Sequence, residues 1–434
     1  MALLPPDHPE RYLLAEEVHA RPPEAIEAPA RATYLAVLID PDNRDRERAH
    51  LATLCERFAV AAPQPGATHL STKLGALRLK WERHGEFSGY TFFSTGAGAT
   101  PFSEPAVALL PQGWLAAVPG VTVVAAHAEL ARAGSTSPDA TALAEYFDGN
   151  IVVGAAIGDG AGYAFTDFRI HADGSARFVL LDRGLTPRQT GRALQRLFEI
   201  EAYRMMALLA LPIARRQSPR ILAIERSLAA LTDGIARDSG NDEALLQELT
   251  RLAAEVESGL AASQFRFGAC RAYGELVRTR IQELREERLA GMQTIEEFMA
   301  RRFTPAIATC ATVSQRLHDL SERVAQASGL LSTRVDIARE RQNQALLGSM
   351  DRRAKLQLRL QQTVEGLSVA AIVYYVAGLV GYLSKAAKAG GLPVEPDLIV
   401  GLVIPVVAVL VVLGVRRARR KIVEAEVRGQ QQHP

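Results

Sequence analysis

Cysteine is nearly missing from this chain. Its 434 residues hold three, Cys55, Cys270 and Cys310, far apart and in no C-x-x-C arrangement. That spacing excludes a zinc site built from cysteine alone and argues against a disulfide framework, so each is read as a small buried hydrophobe. A charge excess is missing too. Lys+Arg number 50 against 48 Asp+Glu, a net +2, whereas a nucleic-acid-binding domain should be plainly basic; no nucleic-acid partner is expected. The opening stretch "MALLPPDHPERYLLAEEVHARPPE" has no basic segment followed by an apolar one. No secretory signal is therefore expected, and the bulk of the chain is placed in the cytosol with free thiols. Neither a nucleophile–base pair nor a metal-spaced ligand set can be assembled. No catalytic residue, cofactor or metal ligand is assigned, and no ligand or ion is identified.

What is present in excess is apolar sequence at the C-terminal end. "GLSVAAIVYYVAGLVGYLS" (366–384) has 19 residues without a charge, about 28 Å of helix at about 1.5 Å per residue. That matches a hydrocarbon core of about 30 Å. "LIVGLVIPVVAVLVVLGV" (398–415) follows, 18 residues and again uncharged. One such run could be a buried core helix; two, joined by a short polar segment, read as a transmembrane hairpin. Arg352, Arg353, Lys355 and Arg359 precede the first run and "RRARRK" (416–421) follows the second. Basic flanks mark the cytoplasmic side, so both long ends are expected there, with 385–397 as a short outer loop.

Within the first run Ala377 and Gly381 make a small-xxx-small pair, with Gly378 beside them. Gly401, Pro405 and Ala408 make a similar face on the second run, and small residues let helices approach closely in lipid. Such faces suit either the hairpin packing on itself or one subunit packing on another. Tyr374 and Tyr375 lie mid-run, where a hydroxyl needs a partner; Tyr374, Gly378 and Gly381 are the candidates for a helix interface or a wet lumen. No Asp, Glu, His, Lys or Arg lies inside either run, which disfavours a proton relay.

From about residue 219 to the first run the chain reads helical, including 244–290, after a shorter helix starting near Arg220. Cys310, Val313, Leu317, Leu320, Val324, Ala327 and Leu331 step by threes and fours, a coiled-coil pattern. "RTRIQELREER" (278–288) reads as a solvated face with i,i+4 pairs. Before residue 186 the texture is mixed. "ATYLAVLI" (32–39), "GVTVVAAH" (120–127) and "NIVVGAAI" (150–157) read as strands. Residues 44–60 read as an amphipathic helix, and 76–94 and 163–182 as hairpins. The glycine-rich "GAAIGDGAG" (154–162) lies between two strands and lacks any phosphate-loop spacing, so it reads as a turn.

Two polar clusters stand out. "EEVHARPP" (16–23) places Glu17, His19 and Arg21 on alternate positions of an extended segment, where they could hold an anion or metal or simply tie down the N-terminus. Residues 186–216 form the clearest helix, capped by Thr186 with Pro187 at its first position. On it Arg196, Glu199 and Tyr203 share one face, and Glu201 and Arg204 another. Such residues either form a buried network or pair on the helix surface.

"EVHARP", "LFEIEAYRMMALLALP" and the C-terminal hairpin together resemble an uncharacterised bacterial membrane-protein family, domain of unknown function 3422, over nearly the full length. The resemblance implies a bacterial membrane protein and supplies no reaction. The order of parts also resembles CorA-type magnesium transporters, which implies a cytosolic α/β domain, a long helix entering the membrane, and a pentameric pore. The Gly-Met-Asn tripeptide of those transporters is replaced here by Gly381-Tyr382-Leu383, and Lys385 and Lys388 would repel a cation at a pore mouth.

The expected fold is a mixed α+β one: a sheet domain (1–185), a helical, coiled-coil-like stalk (186–362), a transmembrane hairpin (363–421) and a tail (422–434). The expected function is a two-span protein of the bacterial inner membrane with a cytosolic sensor or scaffold domain, whose partners are the lipid bilayer and further copies of itself. A divergent CorA-like channel is the alternative.

Overall fold

The computed structural model describes residues 5–17, 22–134, 138, 143–237, 241–391, 393 and 395–430. The fold is mixed α+β, with an eight-stranded sheet followed by long helices. It divides into two compact units, Met1–Leu331 and Ser332–Pro434. Residue 185 falls where strands give way to helices, and residue 362 lies within the helix Thr304–Ala389.

The first unit opens with a short helix α1 (Arg11–Glu17) and then β1 (Ala30–Leu38), α2 (Arg44–Arg57), β2 (His69–Leu74), β3 (Leu77–Arg83), β4 (Phe87–Thr95) and β5 (Val121–Arg132). β6 (Val153–Ile157), β7 (Gly162–Thr166) and β8 (Ala176–Asp182) complete the sheet, in the order β2-β3-β4-β1-β5-β8-β7-β6. Every neighbouring pair is antiparallel except β5 with β8. The expected strands and both hairpins are present; β2 is additional, because "HLSTKL" carries too few apolar residues to stand out as a strand. The glycine-rich stretch makes the β6–β7 turn, in which Gly158, Asp159 and Gly160 are all left-handed.

Strand alternation sorts the side chains into two layers. Leu77, Leu79 and Trp81 of β3 join Tyr90 and Phe92 on the α2 side. The opposite side of β1 and β5 carries Ala30, Ala32, Ala36, Ala126 and Ala128, all buried. Those small side chains leave room for α3 (Pro187–Leu208) to lie close against the sheet, with Leu194, Leu197 and Phe198 filling the gap. Thr186 caps α3 in a reciprocal box with Gln189, and Pro187 occupies its first turn, as its sequence requires.

Three helical expectations need correction. The helix after α3 begins at Leu211 rather than near Arg220: α4 (Leu211–Ala236) runs straight through Pro219. A mid-helix proline costs one backbone bond and about 3 kcal/mol; buried Ala214 before it and Ile221, Ile224 and Leu228 after it hold both halves in the core. Second, α5 (Asp242–Leu284) ends at a left-handed Arg285, and its charge-rich end is not merely solvated: Arg280 and Glu283 reach back to α3. Third, Glu17 ends a helix rather than standing in an extended segment. His19 and Arg21 lie outside the described residues.

α6 (Ile295–Arg302) is a short helix whose N-terminus is doubly held. Thr294 and Glu297 form a capping box, while the Glu286 carboxylate accepts from the Ile295 and Glu296 N–H groups, both at 2.9 Å. Burial pushes the Glu286 carboxyl above its ordinary range, against the pull of those two donors. α7 (Thr304–Ala389) follows, contributing to both units. Its stripe Cys310, Val313, Leu317, Leu320, Val324 and Leu331 is buried in the chain's own core, where Leu317 lies over Gly259 of α5. The coiled-coil spacing thus serves packing within the chain. Cys55, Cys270 and Cys310 are all free and buried.

The second unit holds the rest of α7 and α8 (Pro396–Gln430). Ala377 and Ser384 are buried, and a Cβ at Gly381 would meet Val400 at 3.4 Å. Tyr374 and Tyr375 are about three-quarters exposed, at 76% and 74%, and Gly378 has nothing near it. The two helices therefore meet at Gly381, and Tyr374 and Gly378 stand clear of that contact.

Candidate functional site

α3 carries polar side chains on two sides, and both are enclosed. On the side shared by the sheet and α5, contacts run without a break through seven residues. Lys80 Nζ lies 3.0 Å from Glu82 and donates to Gln195 Oε1 at 3.3 Å; Gln195 Nε2 donates to Glu199 Oε1 at 2.7 Å. Arg280 donates to the other Glu199 oxygen and to Glu283, which also accepts from Arg196 at 3.0 Å. Acids and bases alternate, so each charge of this partly buried network has an opposite neighbour.

Two tyrosines close this network against the core. Burial pushes the Tyr34 hydroxyl well above its ordinary value, helped by Tyr203 and Glu199, and Tyr203 is pushed up by burial and then Glu199. Both phenols stay neutral, able to donate but not to act as bases at neutral pH. The cleft they line encloses about 30 Å³, room for about two waters. It is a linkage between sheet and helices, too small for a substrate.

Beside this cleft, the segment after the undescribed residues 18–21 crosses α3. Ile26 N–H donates to the Pro187 carbonyl at 3.0 Å, and the Glu24 carboxylate accepts from Ser71 and Arg78, both at 2.5 Å. Gly191 permits the crossing, since a Cβ there would sit 1.7 Å from the Glu24 carbonyl oxygen. Gly191→Ala should therefore displace backbone and remove about 1–3 kcal/mol of stability. Urea unfolding checks this; a midpoint equal to that of the unaltered protein would mean the segment is not seated there.

On the other side of α3 the Glu201 carboxylate, nearly fully buried, is held by both arms of Arg204, at 3.0 and 2.5 Å. The same guanidinium lies 5.4 Å above the Phe168 ring. Phe168 has left-handed backbone, φ 54°, a conformation that costs an aromatic residue of order 1–3 kcal/mol. The strain is held from both flanks. Phe168 stacks on Phe298 with centroids 4.9 Å apart. The buried Asp167 carboxylate accepts from Asn150 Nδ2 at 2.9 Å and from the Arg169 N–H at 3.1 Å. His171, itself buried, stands between Asp148 at 2.8 Å and Asp167 at 3.0 Å. Hydrogen bonds from His171 and Arg177 hold the Asp148 carboxyl below its ordinary range.

This supported turn forms one wall of a cleft of about 400 Å³. Arg204, Arg169, Arg301 and Arg302 line it together with Asp167 and the rings of Phe168, Phe298 and Phe303. Among the described residues no cluster of His, Cys, Asp or Glu could hold a metal.

Of the residues singled out in the sequence, Glu199 and Tyr203 thus meet in the linkage, and Glu201 and Arg204 in the pair beside the larger cleft. Tyr374, Gly378 and Gly381 belong to the second unit, and Glu17 ends α1. Sequence reasoning missed Lys80, Phe168, Arg169, Arg301 and Arg302, which come from three separate segments; only the adjacent pair at 301–302 leaves a local signal.

Residues 6–422 match the family described as protein of unknown function (DUF3422). The chain belongs to that family. The DUF3422 match takes in both polar motifs and both apolar runs. Neither a curated protein nor a solved structure matches the chain, so the resemblance to magnesium transporters stays without support. Two helices, one ending at Ala389 and one spanning Pro396–Arg417, are long and apolar enough to cross a membrane by length and composition.

Proposed function

We propose that this chain is a two-span protein of the bacterial inner membrane, with both long ends in the cytosol, whose sheet-bearing unit serves as a sensor or scaffold domain. One observation carries the membrane reading: the apolar stretches of the two long helices are not buried within the chain. A core helix of a soluble protein would hide such a surface, whereas lipid rewards its exposure. Arg352, Arg353, Lys355 and Arg359 before the first stretch and the basic run 416–421 after the second supply the cytoplasmic bias. In this reading 186–362 forms a helical stalk region, 363–421 the hairpin and 422–434 a cytosolic tail.

The sensor or scaffold role is favoured by the chemistry of the first unit. Its buried charges are matched in closed networks and its buried phenols stay neutral, an arrangement that links elements rather than activating a nucleophile. Self-association is favoured by the outer side of the hairpin, where Tyr374 and Tyr375 carry hydroxyls that in lipid need an acceptor.

Labelling with a membrane-impermeant maleimide tests the arrangement, since the native thiols are buried. Ala389→Cys should react in intact spheroplasts, and Gln342→Cys only after lysis. The opposite pattern, or reaction at both sites before lysis, overturns the topology. A strictly monomeric mass in nanodiscs overturns self-association.

A further inference from the structure

We propose that the cleft bounded by Arg169, Arg204, Arg301 and Arg302 is a binding site for a phosphoryl-bearing anion. The inference stands on the first unit alone and holds whether or not the second unit crosses a bilayer; within the sensor reading it names the class of ligand sensed.

Away from this cleft, several arginines of the first unit have carboxylate partners: Arg177 with Asp148, Arg196 and Arg280 with Glu283, and Arg288 with Glu297. Arg169, Arg301 and Arg302 have none among the described residues, and all three line one cleft. Arg204 is matched by Glu201. The Asp167 carboxylate accepts from Asn150 and the Arg169 N–H, with His171 Nε2 3.0 Å away. Three arginines of one cleft therefore have no acceptor supplied by the described protein. Each guanidinium fork suits two oxygens of one phosphoryl group, the geometry that distinguishes arginine from lysine at such sites. The position of Arg301 and Arg302 in the last turn of α6 favours positive charge there, yet it gives their outward donors no partner.

The second observation is the strained turn. Phe168 is held left-handed between Asp167 and Arg169 by contacts on both sides. Strain of this kind persists where the surroundings over-determine it, and clusters where a side chain must be presented. Here the turn sets Phe168 beneath Arg204 and places Arg169 on the cleft wall.

Size narrows the ligand. About 400 Å³ lies within the range of small-molecule sites and exceeds what bare phosphate fills. The rings of Phe168, Phe298 and Phe303 offer an apolar wall beside the charge. A phosphate ester whose organic part rests on those rings fits both halves. That ester could be a soluble metabolite or the headgroup of a phospholipid.

Inorganic pyrophosphate is the probe. The full chain is titrated calorimetrically in nanodiscs of zwitterionic lipid, and again in nanodiscs containing phosphatidylglycerol. Binding is expected in zwitterionic nanodiscs, weakening as salt rises. Arg301→Gln with Arg302→Gln should weaken it by at least about tenfold, whereas Arg226→Gln, on an exposed face of α4, should leave it unchanged. A lowered pyrophosphate affinity in phosphatidylglycerol nanodiscs assigns the cleft to a lipid headgroup; an unchanged affinity assigns it to a soluble phosphate ester. Both outcomes support an anion site. Absence of pyrophosphate binding at millimolar concentration in zwitterionic nanodiscs, or equal affinity in the double variant and the unaltered protein, overturns it. Because both altered arginines are exposed, circular dichroism of the double variant should match that of the unaltered chain.

Discussion

Replacing Glu201 with alanine is expected to remove about 3–5 kcal/mol of folding stability. The carboxylate is almost wholly enclosed and is the only acidic partner found for Arg204 among the described residues. Its loss leaves a cation enclosed over the Phe168 ring with nothing opposite. The effect should belong to the orphaned charge rather than to the lost contact. Glu201→Leu combined with Arg204→Met should therefore recover most of the stability, since well-packed apolar replacements of a buried ion pair are often neutral. Urea unfolding followed by tryptophan fluorescence is a suitable readout, because both tryptophans, Trp81 and Trp114, are buried in the sheet-bearing unit. A loss below about 1 kcal/mol in the single variant, or no recovery in the double, would show that the pair is solvated in solution.

A loss of similar size, about 3–5 kcal/mol, is expected for Phe198→Ala. Phe198 is one of the side chains through which α3 meets the sheet. It stacks on Tyr34 with centroids 5.1 Å apart and presents its edge to Phe178 at 5.9 Å. The alanines that surround it on β1 and β5 cannot expand to fill the space, so the cavity should persist. It would also open beside the Glu199–Tyr203 linkage, whose cleft Phe198 lines. Phe198→Leu, which keeps most of the volume, should cost clearly less; equal losses for the two substitutions would mean that the region collapses around any change.

These two residues also show how far the sequence could be read. The start of α3 was legible because its signals are local: Thr186, Pro187 and Gln189 specify a cap whatever the surroundings. The hairpins were legible for the same reason, through alternation and turn residues. Whether α3 residues join a buried network or a surface one is not legible locally, since helical spacing places Glu199 and Tyr203 together without revealing what lies above them. Arg280 and Glu283, their partners, sit some eighty positions away in a stretch that reads as solvated charge. Glu47 is a sharper case. "RDRERA" reads as an exposed turn of helix, yet the Glu47 carboxylate is fully buried, accepting from Trp81 at 2.9 Å and Tyr90 at 2.7 Å. Single charges are turned inward by donors on other strands, and nothing local announces them. The arginine cleft was invisible for the same reason: its members come from the β7–β8 loop, α3 and α6.

The double capping of α6 bears on how that cleft could work. An eight-residue helix is below the length of about 12–15 residues at which helices hold together unaided. Its order is conditional, supplied by Thr294, Glu297 and Glu286 at one end, while Arg301 and Arg302 stand at the other. The backbone beneath those two arginines is thus already organised before any anion arrives. A ligand meeting them has only side-chain rotamers left to freeze, not a loop to fold, so more of the interaction remains as affinity.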